Sequence, residues 1–150
     1  MRLAPGLLLG GGLGGFVDII VLHQLLQWHH LVSATPAHPV TTVAGLEVNT
    51  RADGMFSVVT LLFVVVGTGL LVEDWRRHRA APPRWQPFVG LLLTGWGVFN
   101  LFEGTINHHL LGLHHVRDDL GGPRTWDFGF IGLALGMTLA GLALYRSSHA

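Results

Sequence analysis

Apolar residues along this chain gather into four long runs near residues 5–30, 54–74, 86–112 and 127–145, separated by shorter polar stretches. A helix needs about 20 residues to cross a bilayer, so the pattern predicts four transmembrane helices. Trp28 and Trp126 fall at one end of the predicted spans, and Trp75, Trp85 and Tyr145 at the other. Aromatic residues collect in that way at membrane interfaces. The link between the second and third runs, "EDWRRHRAAPPRWQP", holds Arg76, Arg77, Arg79 and Arg84, whereas the other two loops hold Arg51, and Arg117 with Arg124. The positive-inside rule puts the arginine-rich link, and with it both termini, in the cytoplasm.

The opening "MRLAPGLLLGGGLGG" has the look of a secretory signal, with Arg2 as its charged region. We read it as the first span, because it runs on into Asp18 and His23, which recur in a later segment that cannot be a signal. Its glycines also suit a packed helix. Gly10/Gly14, Gly11/Gly15 and, in the fourth run, Gly132/Gly136 are small-xxx-small pairs that let another helix approach closely.

The polar residues inside the runs repeat. At an offset of 85, Asp18 falls on Glu103, His23 on His108, and His29-His30 on His114-His115. The shared phrase is acid-x4-His-x-Leu-Leu-x2-His-His, covering residues 14–31 and 99–116. The runs that follow match more weakly, with Arg51-Ala52-Asp53 before one and Arg124-Thr125-Trp126-Asp127 before the other. This predicts two copies of a two-helix hairpin, related by a pseudo-twofold axis along the membrane normal, within one transmembrane domain spanning 1–150.

Composition narrows the chemistry. Charged residues are 12% of the chain against 49% hydrophobic, nine acidic residues balance nine arginines, and there is no cysteine. The balance leaves no basic stripe for nucleic acid, and neither disulfides nor thiolate metal sites are available. Ten histidines in 150 residues are the unusual feature.

At about 100° per residue, His23, Gln27 and His30 share one face with Asp18 and His29 on a neighbouring one, and in the second copy His108 and His115 share a face. Asn100, Glu103, Asn107 and His114 then form a neighbouring stripe, and Asp18 and Glu103 lie about 16 Å deeper than the paired histidines. A carboxylate at such depth costs roughly 3 kcal/mol on insertion scales. The acids must be protonated, hydrogen-bonded or neutralised by a cation. Neutral imidazole is the commonest biological metal ligand, so His23, His30, His108 and His115 are the leading candidates, with His29, His114, Asp18 and Glu103 joining them and Asp53 and Asp127 close enough to support them. Nitrogen and oxygen donors without sulfur suit iron, zinc or copper(II), and also nickel or manganese.

Two alternatives stay open. His23 and His108, at equal depth across the axis, could be the axial ligands of a haem, as in membrane cytochromes. Or the acids and histidines could line a path for protons or metal ions, although Leu7 to Phe16 offers only glycine and apolar side chains on the cytoplasmic side. His38, His78 and His149 receive no role.

The phrases "GFVDIIVLHQLLQWHHL", "ADGMF", "GWGVFNLFEGTINHHLLGLHHVR" and "WDFGFIGLALG" resemble the bacterial membrane-protein family known as domain of unknown function 2243. The resemblance runs from about Gly14 to Tyr145 and implies a four-span protein of the bacterial inner membrane. In that family the position of Ser57 often carries His, which implies one ligand fewer on the second span here. The sequence therefore reads as an all-α membrane protein, four helices in a bundle of two hairpins. Its expected function is a metal-binding, redox-active site near the outer face, with no catalytic residue assigned. The lipid bilayer is its surroundings, and a homodimer and an electron-transfer partner are compatible with the reading.

Overall fold

The computed structural model describes residues 3–77 and 85–148; His78, His149, Arg79 and Arg84 lie outside them. Helix α1 (Leu3–Val17) runs on into a π-helical segment, Asp18–Leu25. Helix α2 spans Val43–Arg77, α3 spans Trp85–Glu103 with its own π-helical continuation Gly104–Leu110, and α4 spans Arg124–Ser147. A short 3-10 turn, Asp118–Leu120, lies in the last loop, and the described residues contain no strand. All four helices are long and apolar enough to cross a membrane. Lipid offers no hydrogen bonds to the backbone, so each crossing segment satisfies its own amides as a helix. Pro5 and Pro87 both fall in a first turn, where a missing N–H breaks no helical bond.

Three boundaries differ from the sequence pattern. The first and third helices stop at Leu25 and Leu110 rather than near 30 and 112. The stop has a local cause: Gln27 has φ 50° and Gly112 φ 58°, a left-handed conformation that no right-handed helix continues. The second helix begins at Val43 instead of 54. At about 1.5 Å per residue it is about 52 Å long, so it projects beyond a hydrocarbon core of about 30 Å. Its polar first turns escape detection by hydropathy but bury Asn49 and Asp53 inward.

Helices α1 and α3 form the centre. α2 packs on α1 and α4 packs on α3, while the two outer helices do not meet. Glycine sets the central spacing. A Cβ on Gly10 would overlap the Leu92 carbonyl, and one on Gly95 would overlap the Leu7 carbonyl. These two contacts are the same contact taken at an offset of 85. Gly14 and Gly15 lie against Trp96, and against Thr60 and Phe99. Gly132 and Gly136 do not pack on a neighbour; their faces are open. α4 meets α3 through Gly141 and Ala134 instead, each beside a backbone or small side chain of α3. The outer faces of α2 and α4 present Val58, Leu62, Leu133 and Leu139 outward, as expected where lipid is the solvent.

Both loops that join the helices at the histidine-bearing end fold over the bundle and tie to each other. Ala34 donates to the Leu113 carbonyl at 3.0 Å and Asp119 to the Trp28 carbonyl at 3.1 Å. Asn49 pins the first loop to α2, accepting from Val32 N–H and donating to the His38 and Gly45 carbonyls. Trp28 and Trp126 pack edge to face with the Arg117 guanidinium over both rings.

Candidate metal centre

The spacing acid-x4-His acquires meaning from the π-helical segments. On an α-helix two residues five apart lie about 140° around the axis from each other. With i→i+5 bonding they come nearly into line. Asp18 Oδ2 consequently sits 3.5 Å from His23 Nε2, and Glu103 Oε2 sits 3.3 Å from His108 Nε2. Leaving the helix, the chain turns at Gln27 and Gly112 and sends the next histidines back inward. His29 and His114 are buried, their rings stacked at 4.6 Å with planes 6° apart. The expectation of acids some 16 Å beneath the paired histidines fails for this reason: His114 Nε2 lies 3.0 Å from Glu103 Oε1.

Each inward histidine has its Nδ1 edge occupied. His29 Nδ1–H donates to the Val116 carbonyl at 3.0 Å, and His114 Nδ1–H to the Leu31 carbonyl at 2.9 Å. A carbonyl only accepts, so each Nδ1 carries a proton, and in the neutral ring Nε2 is the nitrogen with a lone pair to offer. His23 Nδ1–H donates to Asp53 Oδ1 at 2.9 Å, and His108 Nδ1 faces Asp127 Oδ1 at 3.3 Å. The Nε2 atoms of His23, His29, His108 and His114 are all buried; those of His23, His108 and His114 meet only the Asp18 and Glu103 carboxylates, and that of His29 has no hydrogen-bond partner. Burial, with the imidazoles of His114 and His23 beside it, pushes the His29 pKa down to about 2, which keeps its ring neutral.

Two overlapping groups of ligand atoms result. His23, His29 and His114 form one, and Glu103, His108 and His114 the other, each with its atoms within 4.8 Å of one another. Four carboxylates are buried in this region, from Asp18, Asp53, Glu103 and Asp127. Their ion-pair partners among the described residues are all histidines, with no arginine near enough to join.

His30 and His115, leading candidates on the helical reading, stand outside both groups. Each gives its Nδ1–H to the second oxygen of the supporting carboxylate, His30 to Asp53 Oδ2 and His115 to Asp127 Oδ2, both at 2.7 Å. The same carboxylates accept the Leu31 and Val116 amides at 2.9 Å. Gln27 is exposed and belongs to no polar face. A shared face for His23 and His30 requires a helix unbroken to residue 30, and the left-handed turn at Gln27 interrupts it. Asn107 donates to Glu103 Oε1, while His109 lies outside the cluster against the Phe128 ring. His38 contributes only its backbone. Ser57 bonds back to the Asp53 carbonyl within α2.

Pattern reading missed Asn49, although it stands one helical turn before Asp53. It also missed the link between Ser33 and Asp118, residues 85 apart that hydrogen-bond directly across the two loops. A polar crevice of about 750 Å³ opens beside the centre, lined by His29, His30, Ser33, His115 and Asp118 among others.

Four crossing helices around a buried histidine and carboxylate cluster define an all-α integral membrane protein, and the clustered groups are ones that could hold a metal ion. The chain belongs to the family described as "Predicted membrane protein (DUF2243)", whose model matches residues 5–148. No curated protein and no solved structure matches it.

Proposed function

We propose that this is a multi-pass metalloprotein of the bacterial inner membrane, termini in the cytoplasm, with two divalent transition-metal ions near the outer face. One ion takes Asp18, His23 and His29; the other takes Glu103, His108 and His114. The supporting observation is the set of four buried Nε2 atoms of His23, His29, His108 and His114, which meet no partner other than the carboxylates of Asp18 and Glu103, three of them on rings held by a bond from Nδ1. Metal-binding histidines characteristically give their second nitrogen to a carboxylate or carbonyl. Charge supports the count, since two divalent cations balance the four buried carboxylates. Two imidazoles and one carboxylate with open positions is a non-haem iron set, and zinc and copper(II) accept the same donors. The ions would supply Lewis-acid or redox chemistry, and the chain would supply ligands, orientation and the crevice that admits small polar molecules. Matched contacts at an offset of 85 in helix packing, turns and ring hydrogen bonds favour duplication of one hairpin as the origin of the twin sites.

A haem between His23 and His108 fits less well. The rings of His29 and His114 each lie within 6.1 Å of both, in the room a macrocycle needs. A through-path for ions is opposed by the close backbone packing of α1 on α3 at Gly10 and Gly95.

Elemental analysis of the protein, purified in mild detergent without a histidine tag, tests the proposal. About two equivalents of metal are expected, falling to one or none in His108→Ala and His23→Ala and unchanged in His109→Ala. Metal-free protein from chelator-free buffers, or unchanged content in the first two variants, would sink it.

A further inference from the structure

A second cavity, of about 440 Å³, lies between α1 and α4 in the apolar part of the bundle. Gly14 and Asp18 of α1, Trp96 and Asn100 of α3, and Trp126 and Phe130 of α4 line it. The rest of its wall is mostly aliphatic, with Trp28 and Thr125 added, and it borders the exposed apolar side chains Val17 and Leu133, so its mouth opens on the apolar flank of the bundle. The matching groove on the far side of the central pair is filled. There Phe99 packs against Phe56 and Phe63 at centroid distances of 5.8 and 6.3 Å. The residue at the position of Phe99 in the first copy, 85 earlier, is Gly14. The open groove therefore reflects a small residue where its counterpart carries a ring.

The cavity holds an unmet hydrogen-bond demand. Asn100 is 6% exposed, and its Oδ1 is buried without a partner. A buried amide oxygen left unpaired is unfavourable, and what it lacks is a donor. A hydrocarbon chain brings none, and a polar solute would not enter through lipid. A flat aromatic molecule carrying a hydroxyl meets each condition, because its ring stacks against indole and phenyl faces and its O–H reaches the amide.

We propose that this cavity binds a lipid-soluble quinol, its ring among Trp96, Trp126 and Phe130 and one hydroxyl donating to Asn100 Oδ1. Such a ligand would lie against Asp18, on the membrane side of the centre. The inference concerns binding alone, goes beyond the metal reading and does not depend on it.

The test follows a short-chain hydroquinone, kept reduced, and its dimethyl ether by tryptophan fluorescence of the protein in detergent, corrected for partition into empty micelles. Trp28, Trp96 and Trp126 line the cavity, whereas Trp75 and Trp85 do not. Saturable binding is expected for the hydroquinone, with the ether about tenfold weaker because it cannot donate. Asn100→Leu should erase that difference. Gly129→Phe should abolish binding, since Gly129 lines the cavity and a Cβ there meets nothing within 4 Å. Equal affinity for the ether in the unaltered protein would overturn the bond to Asn100. Binding that survives Gly129→Phe in a variant with unchanged elution and helicity, or the absence of saturation, would overturn the site. Metal content, measured on the same samples, reports separately on the centre.

Discussion

Asp53→Asn separates support of a metal centre from simple helix adhesion. The Asp53 carboxylate accepts three hydrogen bonds, from His23 Nδ1 and the Leu31 amide at 2.9 Å and from His30 Nδ1 at 2.7 Å. An asparagine of the same shape keeps one accepting oxygen and turns an NH2 group toward donors. At least one bond to a charged acceptor is lost, worth about 1.5–3 kcal/mol, and a buried donor is left facing another donor. The loss of stability should be about 3 kcal/mol. The effect on metal is more diagnostic: without its carboxylate, the His23 ring loses its orientation and basicity, and partners of this kind change metal affinity by about 10–100-fold. The assay is competition against a chelator of known affinity, with metal counted in the protein fraction. Asp127→Asn should behave alike through His108 and His115, and Asp119→Asn, on an exposed pair with Arg117, should change nothing. A destabilised Asp53→Asn protein that retains metal with unaltered affinity would refute the reasoning and leave Asp53 a structural tie.

Adjacent histidines should differ sharply. His114→Ala, which removes a proposed ligand of one ion from beside His23 and His29, should lower metal content by at least half, whereas His115→Ala should leave it near normal; elemental analysis decides. Gly10→Val or Gly95→Val should push α1 from α3 and destroy both folding and metal retention, visible as aggregation on size exclusion, while Gly132→Val, with open space around it, should fold normally. Asn49→Leu forfeits three hydrogen bonds in a buried position and should cost about 2–4 kcal/mol, read as faster proteolysis of the 26–42 loop. Stripping metal with a chelator should lower the thermal midpoint and restoring it should recover the loss, because ligands bound only by the folded state stabilise it. An unchanged midpoint would argue against bound cations in the folded protein.

Hydropathy alone determined the four crossings, because in lipid a run of about 20 apolar residues has few options but a helix. The offset of 85 picked out the acids and histidines that the structure gathers at one end, because the repeated phrase preserves spacing. Which histidines turn inward could not be read from that spacing. A helix at 100° per residue groups His23 with His30 and separates both from Asp18, and this geometry fails where the backbone widens to i→i+5 bonding and then reverses at Gln27 and Gly112. The inward direction of His29 and His114 depends on carbonyls from the opposite loop, Val116 and Leu31. The early start of α2 depends on Asn49 and Asp53 finding partners in the π-helical segment and the loop 11 to 30 residues before them. Local sequence therefore determined the spans and the inventory of candidate ligands. Tertiary structure decided which nitrogen is left unpaired, because that depends on partners brought together from distant parts of the chain.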